Sequence, residues 1–87
     1  MWKVYLSSSA KRQLKSIPAS DRVRIWGALS DLEYDPYAGD TRPLRGDPSV
    51  WRLRVGGYRI FYEPVRPVRF IQIHYVTRKG SHTYKKR

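Results

Sequence analysis

The stretch Val50-Trp51-Arg52-Leu53-Arg54-Val55-Gly56-Gly57-Tyr58-Arg59-Ile60-Phe61-Tyr62 decides how the rest of the chain must fold. Two alternating runs flank Gly56-Gly57, the pattern of a β-hairpin closed by a two-residue turn. Such a turn sets Val55 opposite Tyr58, Arg54 opposite Arg59, Leu53 opposite Ile60 and Arg52 opposite Phe61. Side chains alternate between strand faces, so Trp51, Leu53, Val55, Tyr58, Ile60 and Tyr62 share one surface, a core face. Arg52, Arg54, Arg59 and Phe61 share the other. Like charges paired directly across strands cost roughly a few tenths to 1 kcal/mol. A polyanion on that face offsets the repulsion, because guanidinium forks match phosphate geometry and an aromatic ring stands beside them. A merely solvated sheet face accounts for exposed arginines but not for their direct pairing.

Working outward, residues 2–6 alternate Trp2, Val4, Leu6 against Lys3, Tyr5, a short half-buried strand. Ser7-Ser8-Ser9 offers N-cap oxygens, and Ala10, Leu14 and Ile17 follow at helical spacing up to Pro18. Ser20 can cap a second helix with Asp21 in its first turn; Ile25, Trp26, Leu29 and Leu32 form its stripe, and Asp35-Pro36 closes it. Residues 35–49, rich in Pro, Gly and Asp, read as one long loop tacked down by Leu44. Pro64-Val65-Arg66-Pro67 is a turn, and Val68 to Thr77 is the last strand, with Ile71, Ile73 and Tyr75 on one face and Phe70, Gln72 and His74 on the other. The expected fold is α+β, in the order β-α-α-β-β-β. Two N-terminal antiparallel helices pack on one face of a small, mainly antiparallel four-stranded sheet, and residues 1–87 form a single domain. The neighbour of the N-terminal strand is not set by the pattern.

Charge is strongly uneven. Of the net +11, residues 1–40 carry +1 and residues 41–87 carry +10. That asymmetry favours an anionic partner. The basic half reads as strand and loop rather than amphipathic helix, which argues against a membrane surface, and no apolar run approaches the roughly 20 residues of a membrane span. The alternating N-terminus does not read as a signal peptide, and the lack of cysteine fits a reducing cytoplasm while excluding disulfides and thiolate metal sites.

No phosphate-binding Gly loop, HExxH or close carboxylate set is present, so neither a metal nor a cofactor is expected. His74 and His82 invite a ribonuclease-like pair, but His74 reads as a packed or solvent-facing strand residue. RNA can be cut without metal when its own 2′-OH attacks the adjacent phosphate. Arginines stabilise the charge that develops, and they are poor bases at neutral pH. Proton transfer then falls to His82 or Tyr84, either of which could instead stack on a base.

Leu44-Arg45-Gly46, Trp51-Arg52-Leu53-Arg54-Val55, Gly57-Tyr58-Arg59-Ile60-Phe61-Tyr62 and a last strand leading to Arg78 and Tyr84 together resemble the RelE/ParE superfamily of bacterial and archaeal toxins. The resemblance covers nearly the whole chain. It implies the toxin of a type II toxin–antitoxin pair, a ribosome-dependent mRNA endonuclease in the cytoplasm whose partners are mRNA on the ribosome and a cognate antitoxin. It places the RelE-branch site on Arg52, Arg54, Arg59, Arg78 and Tyr84, with Arg59, Arg78, Tyr84 and His82 as the catalytic set. Arg52 and Arg54, with Arg45, Lys79 and Lys85, are the RNA-binding set. The first two family positions are often Lys; Arg there weakens a role as base. Three residues follow Tyr84, so no long C-terminal helix is expected. The ParE branch, which poisons DNA gyrase and lacks the full Arg/Tyr set, is the alternative, and a non-catalytic RNA- or ribosome-binding module is a third.

Overall fold

The computed structural model describes residues 1–78. The order is β1 (Lys3–Leu6), α1 (Ser8–Lys15), α2 (Ala19–Leu32), β2 (Asp40–Leu44), β3 (Asp47–Val55), β4 (Tyr58–Val65) and β5 (Phe70–Arg78). These strands form one sheet in the order β1-β5-β4-β3-β2. Only β1 and β5 run parallel; the other pairs are antiparallel.

The central hairpin has the expected register, from Val55↔Tyr58 through Arg52↔Phe61 to Trp51↔Tyr62. Gly56 sits at φ 57° while Gly57 does not share the left-handed region, the sign pattern of a type II′ turn.

The sheet has five strands rather than four. Part of the expected 35–49 loop is β2, which pairs antiparallel with β3. Pro43 is tolerated because β2 is an edge, and Gly39 (φ 79°) and Gly46 (φ 86°) turn the chain at its two ends.

Ser7 caps α1 by accepting the Ala10 N–H at 3.0 Å. Pro18, not Ser20, occupies the N-cap of α2, and its carbonyl accepts the Arg22 N–H at 2.9 Å. Arg22 in turn donates from Nη1 to the Ile17 carbonyl at 3.1 Å, satisfying a group left open just past the end of α1. Asp21, in the first turn of α2, accepts the Tyr58 hydroxyl at 2.9 Å and ties the helix to the hairpin.

Ala10, Leu14, Ile25, Leu29 and Leu32 from the helices meet Leu53, Ile60, Tyr62, Ile71 and Ile73 from the sheet in one buried cluster. Each Leu or Ile among them stabilises the fold by about 1.5–3 kcal/mol when fully buried. Trp26 departs from the expected stripe. Ile25, Leu29 and Leu32 hold the buried line, and Trp26, one residue round the helix, is 45% exposed.

The last strand breaks its alternation. Phe61 pairs with Tyr75 but Tyr62 with Ile73, so His74 is an extra residue, a β-bulge. Beyond it Val76 takes the core position expected of Tyr75, which is exposed. The backbone groups freed there are taken up from α1 and its cap. Ser7 donates from Oγ to the His74 carbonyl at 2.7 Å, and the Val76 N–H donates to Gln13 Oε1 at 2.6 Å.

Candidate functional site

The face of the sheet opposite the helices carries Asp40 and Arg42 from β2, Arg52 and Arg54 from β3, and Arg59 and Phe61 from β4. Cross-strand pairing stacks them in two rows, Asp40–Arg54–Arg59–Thr77 and Arg42–Arg52–Phe61–Tyr75. Asp40, Arg42, Arg52, Arg54 and Arg59 line an open groove of about 320 Å³.

Four guanidinium groups and one carboxylate share this groove. Asp40 contacts Arg52 (Oδ1 to Nη2, 3.6 Å) and Arg54 (Oδ2 to Nε, 4.0 Å). The Arg52 side chain is only 15% exposed, against 48% for Arg54. Burial lowers the Arg52 pKa from the usual arginine range; Asp40 opposes that, and Arg54, Arg42 and Arg59 add to it. The guanidinium still holds its charge at neutral pH.

The floor of the groove is short of hydrogen bonds. Arg52 Nη1 and Arg59 Nε in the groove are buried without a partner among the described residues, as is Thr77 Oγ1 on the neighbouring β5. A buried polar atom left unsatisfied costs about 1–3 kcal/mol, more if charged, so such atoms clustered in one groove are a feature of a ligand site.

Of the residues expected from sequence, Arg52, Arg54 and Arg59 come together as read. Arg45 sits exposed beside Gly46 in the β2–β3 turn and does not line the groove. Arg78 lies on the other face. Regular alternation from Phe70 would set it beside Arg59, but the bulge at His74 reverses the phase and pairs it with Tyr58. Its guanidinium carbon is 5.9 Å from the Tyr58 ring centre, and a hydrogen bond with Tyr58 raises its pKa. Lys79, His82, Tyr84 and Lys85 lie outside the described residues.

Asp40, Arg42 and Thr77 were missed. The Asp40/Arg42 alternation was a signal, masked by Pro43 and the surrounding Gly and Asp. The same face also carries Glu63 and the bulged His74, with His74 Nε2 3.3 Å from Glu63 Oε1. Among the described residues no group of His, Cys, Asp and Glu could hold a metal ion, and no helix is long and apolar enough to cross a membrane.

The family model for the ParE toxin of type II toxin-antitoxin system, parDE, matches residues 4–79. The chain belongs to that family. It is thus a type II toxin of the RelE/ParE superfamily. No match was found among curated proteins.

Solved structures of this superfamily share the fold. The archaeal RelE of the RelE–RelB complex from Pyrococcus horikoshii OT3 superposes with a TM-score of 0.82 at 24% identity, over 93% of this chain and 98% of that one. The isolated E. coli RelE toxin gives 0.81 at 15% identity, over 94% and 88%. A YoeB/ParE toxin from Agrobacterium tumefaciens gives 0.75 at 19%, over 91% and 99%. At these identities the likeness speaks for the fold alone.

Proposed function

We propose that this toxin is a metal-independent endoribonuclease acting on mRNA at the ribosome. The observation that carries the reading is the groove, where Arg52 Nη1 and Arg59 Nε are buried and unpartnered within a cluster of four arginines. A phosphodiester supplies the missing acceptors and cancels the like-charge repulsion together. In the reaction the ribose 2′ oxygen attacks the adjacent phosphorus and the 5′ oxygen leaves, giving a 2′,3′-cyclic phosphate and a 5′-hydroxyl end. Arg52 and Arg59 stabilise the charge on the phosphoryl oxygens; Arg42 and Arg54 hold the flanking backbone. Tyr84 supplies a stacking ring. Lys79, Lys85 and Arg45 add to the field that draws in the polyanion. Arg78, set against Tyr58, is left out of the phosphate site.

The solved relatives include RelE–RelB complexes. By that likeness the partner of this chain is a cognate antitoxin, whose acidic segment covers the basic face. A substrate on the ribosome places the protein in the cytoplasm.

Primer extension on an mRNA undergoing translation by purified ribosomes tests the reading, with a free-RNA control in EDTA. Codon-phased cuts are expected, falling about 10²–10³-fold in Arg59→Ala, as when one oxyanion donor is removed. Uncut mRNA overturns the reading. The second reading is inhibition of DNA gyrase, favoured by the match to the ParE family model. Loss of supercoiling activity on adding the toxin, with mRNA intact, selects it.

A further inference from the structure

The nuclease reading leaves one task without a described residue: removal of the 2′ proton, for which arginine is unsuited. We infer that His74 is the proton acceptor and that Glu63 is the residue that positions it. The inference rests on the nuclease reading.

His74 is the bulged residue of β5, with no direct counterpart on β4. A bulge re-aims a side chain, and here it brings the imidazole to Glu63 of β4. The bulge is held from behind, because the Ser7 hydroxyl that caps α1 also donates to the His74 carbonyl. Alternation along β4 puts Arg59, Phe61 and Glu63 on the same face, so the pair and the arginine groove share one surface. With strands about 4.8 Å apart and about 3.4 Å per residue, His74, level with the Phe61–Tyr62 step, lies about 10 Å from both Arg59 and Arg52. A phosphate held by those arginines leaves its ribose within reach of β5.

The tautomer follows from the contact. Nε2–H donates to Glu63 Oε1 at 3.3 Å, which leaves the Nδ1 lone pair to accept a proton. The side chains of His74 and Glu63 are 33% and 35% exposed, open to a ligand. Nδ1 takes the 2′-OH proton as the bond from 2′ oxygen to phosphorus forms. The bond from phosphorus to the 5′ oxygen breaks, and that oxygen takes a proton from water. The hydroxide so formed is neutralised by the imidazolium proton, which returns His74 to its starting state. An aligned base of this kind contributes typically 10²–10⁴-fold. The sequence hid the pair because Glu63 and His74 stand eleven residues apart on two strands whose register slips between them.

The ionisable groups sharing the His74 face are Glu63 and Arg59 on β4, Arg52 and Arg54 on β3, Asp40 and Arg42 on β2, Lys3 and Tyr5 on β1 and Tyr75 on β5. Helix α1 lies on the opposite face, and its N-cap Ser7 meets His74 at the carbonyl. The test follows cutting of ribosome-bound mRNA from pH 5 to 8 by the wild type, His74→Gln, Glu63→Gln and His82→Gln. Anisotropy of a labelled RNA oligonucleotide gives binding separately. His74→Gln is expected to slow cutting at least 100-fold, to keep RNA affinity within twofold and to abolish the fall in rate toward acid pH. Glu63→Gln is expected to slow cutting about tenfold and move that fall to lower pH, because loss of the carboxylate favours neutral imidazole. A purely structural role would not move the pH profile. Wild-type cutting with His74→Gln within threefold of it and an unchanged profile overturns the inference, as does transfer of the whole effect to His82→Gln. Should His74→Gln not fold, an unshifted profile in Glu63→Gln overturns it equally. A wild type that cuts nothing overturns the nuclease reading and this inference with it.

Discussion

Asp40 Oδ1 lies 3.6 Å from Arg52 Nη2, and Asp40 is the one carboxylate in a groove otherwise lined by arginines. The carboxylate acts as an internal counter-ion, keeping Arg52 and Arg54 in place while no polyanion is bound. It also competes with one that arrives.

Asp40→Asn should therefore tighten binding of single-stranded RNA about 3–10-fold at low salt, with the gain shrinking as salt screens the field. Stability should fall by less than about 1 kcal/mol, because the side chain is 53% exposed. Anisotropy at several salt concentrations and urea melts read the two effects. Unchanged affinity at 50 mM salt would show that Asp40 does not oppose the ligand.

Arg52 is a half-buried charge of the groove, its side chain 15% exposed, and its pKa is lowered first by burial. The charged form is therefore disfavoured in the folded protein. For a base with a depressed folded pKa, stability rises with pH only between the folded and unfolded values, a window in the alkaline arginine range. Across pH 6–9 the penalty is constant. Arg52→Met should stabilise the isolated toxin by about 1 kcal/mol throughout that range, while cleavage is lost. For a chain of this size that is roughly a 4–8 °C rise in Tm. A lower Tm at any of these pH values would show that the pair with Asp40 outweighs the cost of burial.

Tyr62 is fully buried, and its hydroxyl donates to the Pro36 carbonyl at 2.6 Å, pinning the start of the β2 segment to the core. Burial raises its pKa well above the usual tyrosine value. A group whose pKa is raised by folding contributes stability that is complete below its unfolded value, about 10, and is lost as pH climbs toward the folded one. Tyr62→Phe should cost about 1–2 kcal/mol at neutral pH and flatten the alkaline loss of stability. Parallel denaturant melts at pH 7 and pH 10.5 check both; identical alkaline slopes in the two proteins would refute the assignment.

The central hairpin was legible because a two-residue turn leaves no freedom in register: once Gly56-Gly57 is read as the turn, Arg52, Arg54 and Arg59 must share a face. β2 was not legible, since five residues containing a proline carry little pattern and its strand character comes from pairing with β3. The face of Arg78 was not legible either. It depends on one inserted residue, His74, and the bulge is set by Ser7 and Gln13 more than sixty residues earlier in the chain. No local reading of the last strand contains that information. Trp26 shows the converse limit: an apolar residue on the flank of a stripe is not thereby buried.

The parallel pairing of β1 with β5 joins the first strand of the sheet to the last. A ribosome making this protein therefore releases every other described element before the residues that pair with β1. Long-range closure of this kind is slow and has no reward until both partners are present. The nascent chain accordingly keeps the β1 edge of the sheet unpaired until β5 has cleared the exit tunnel.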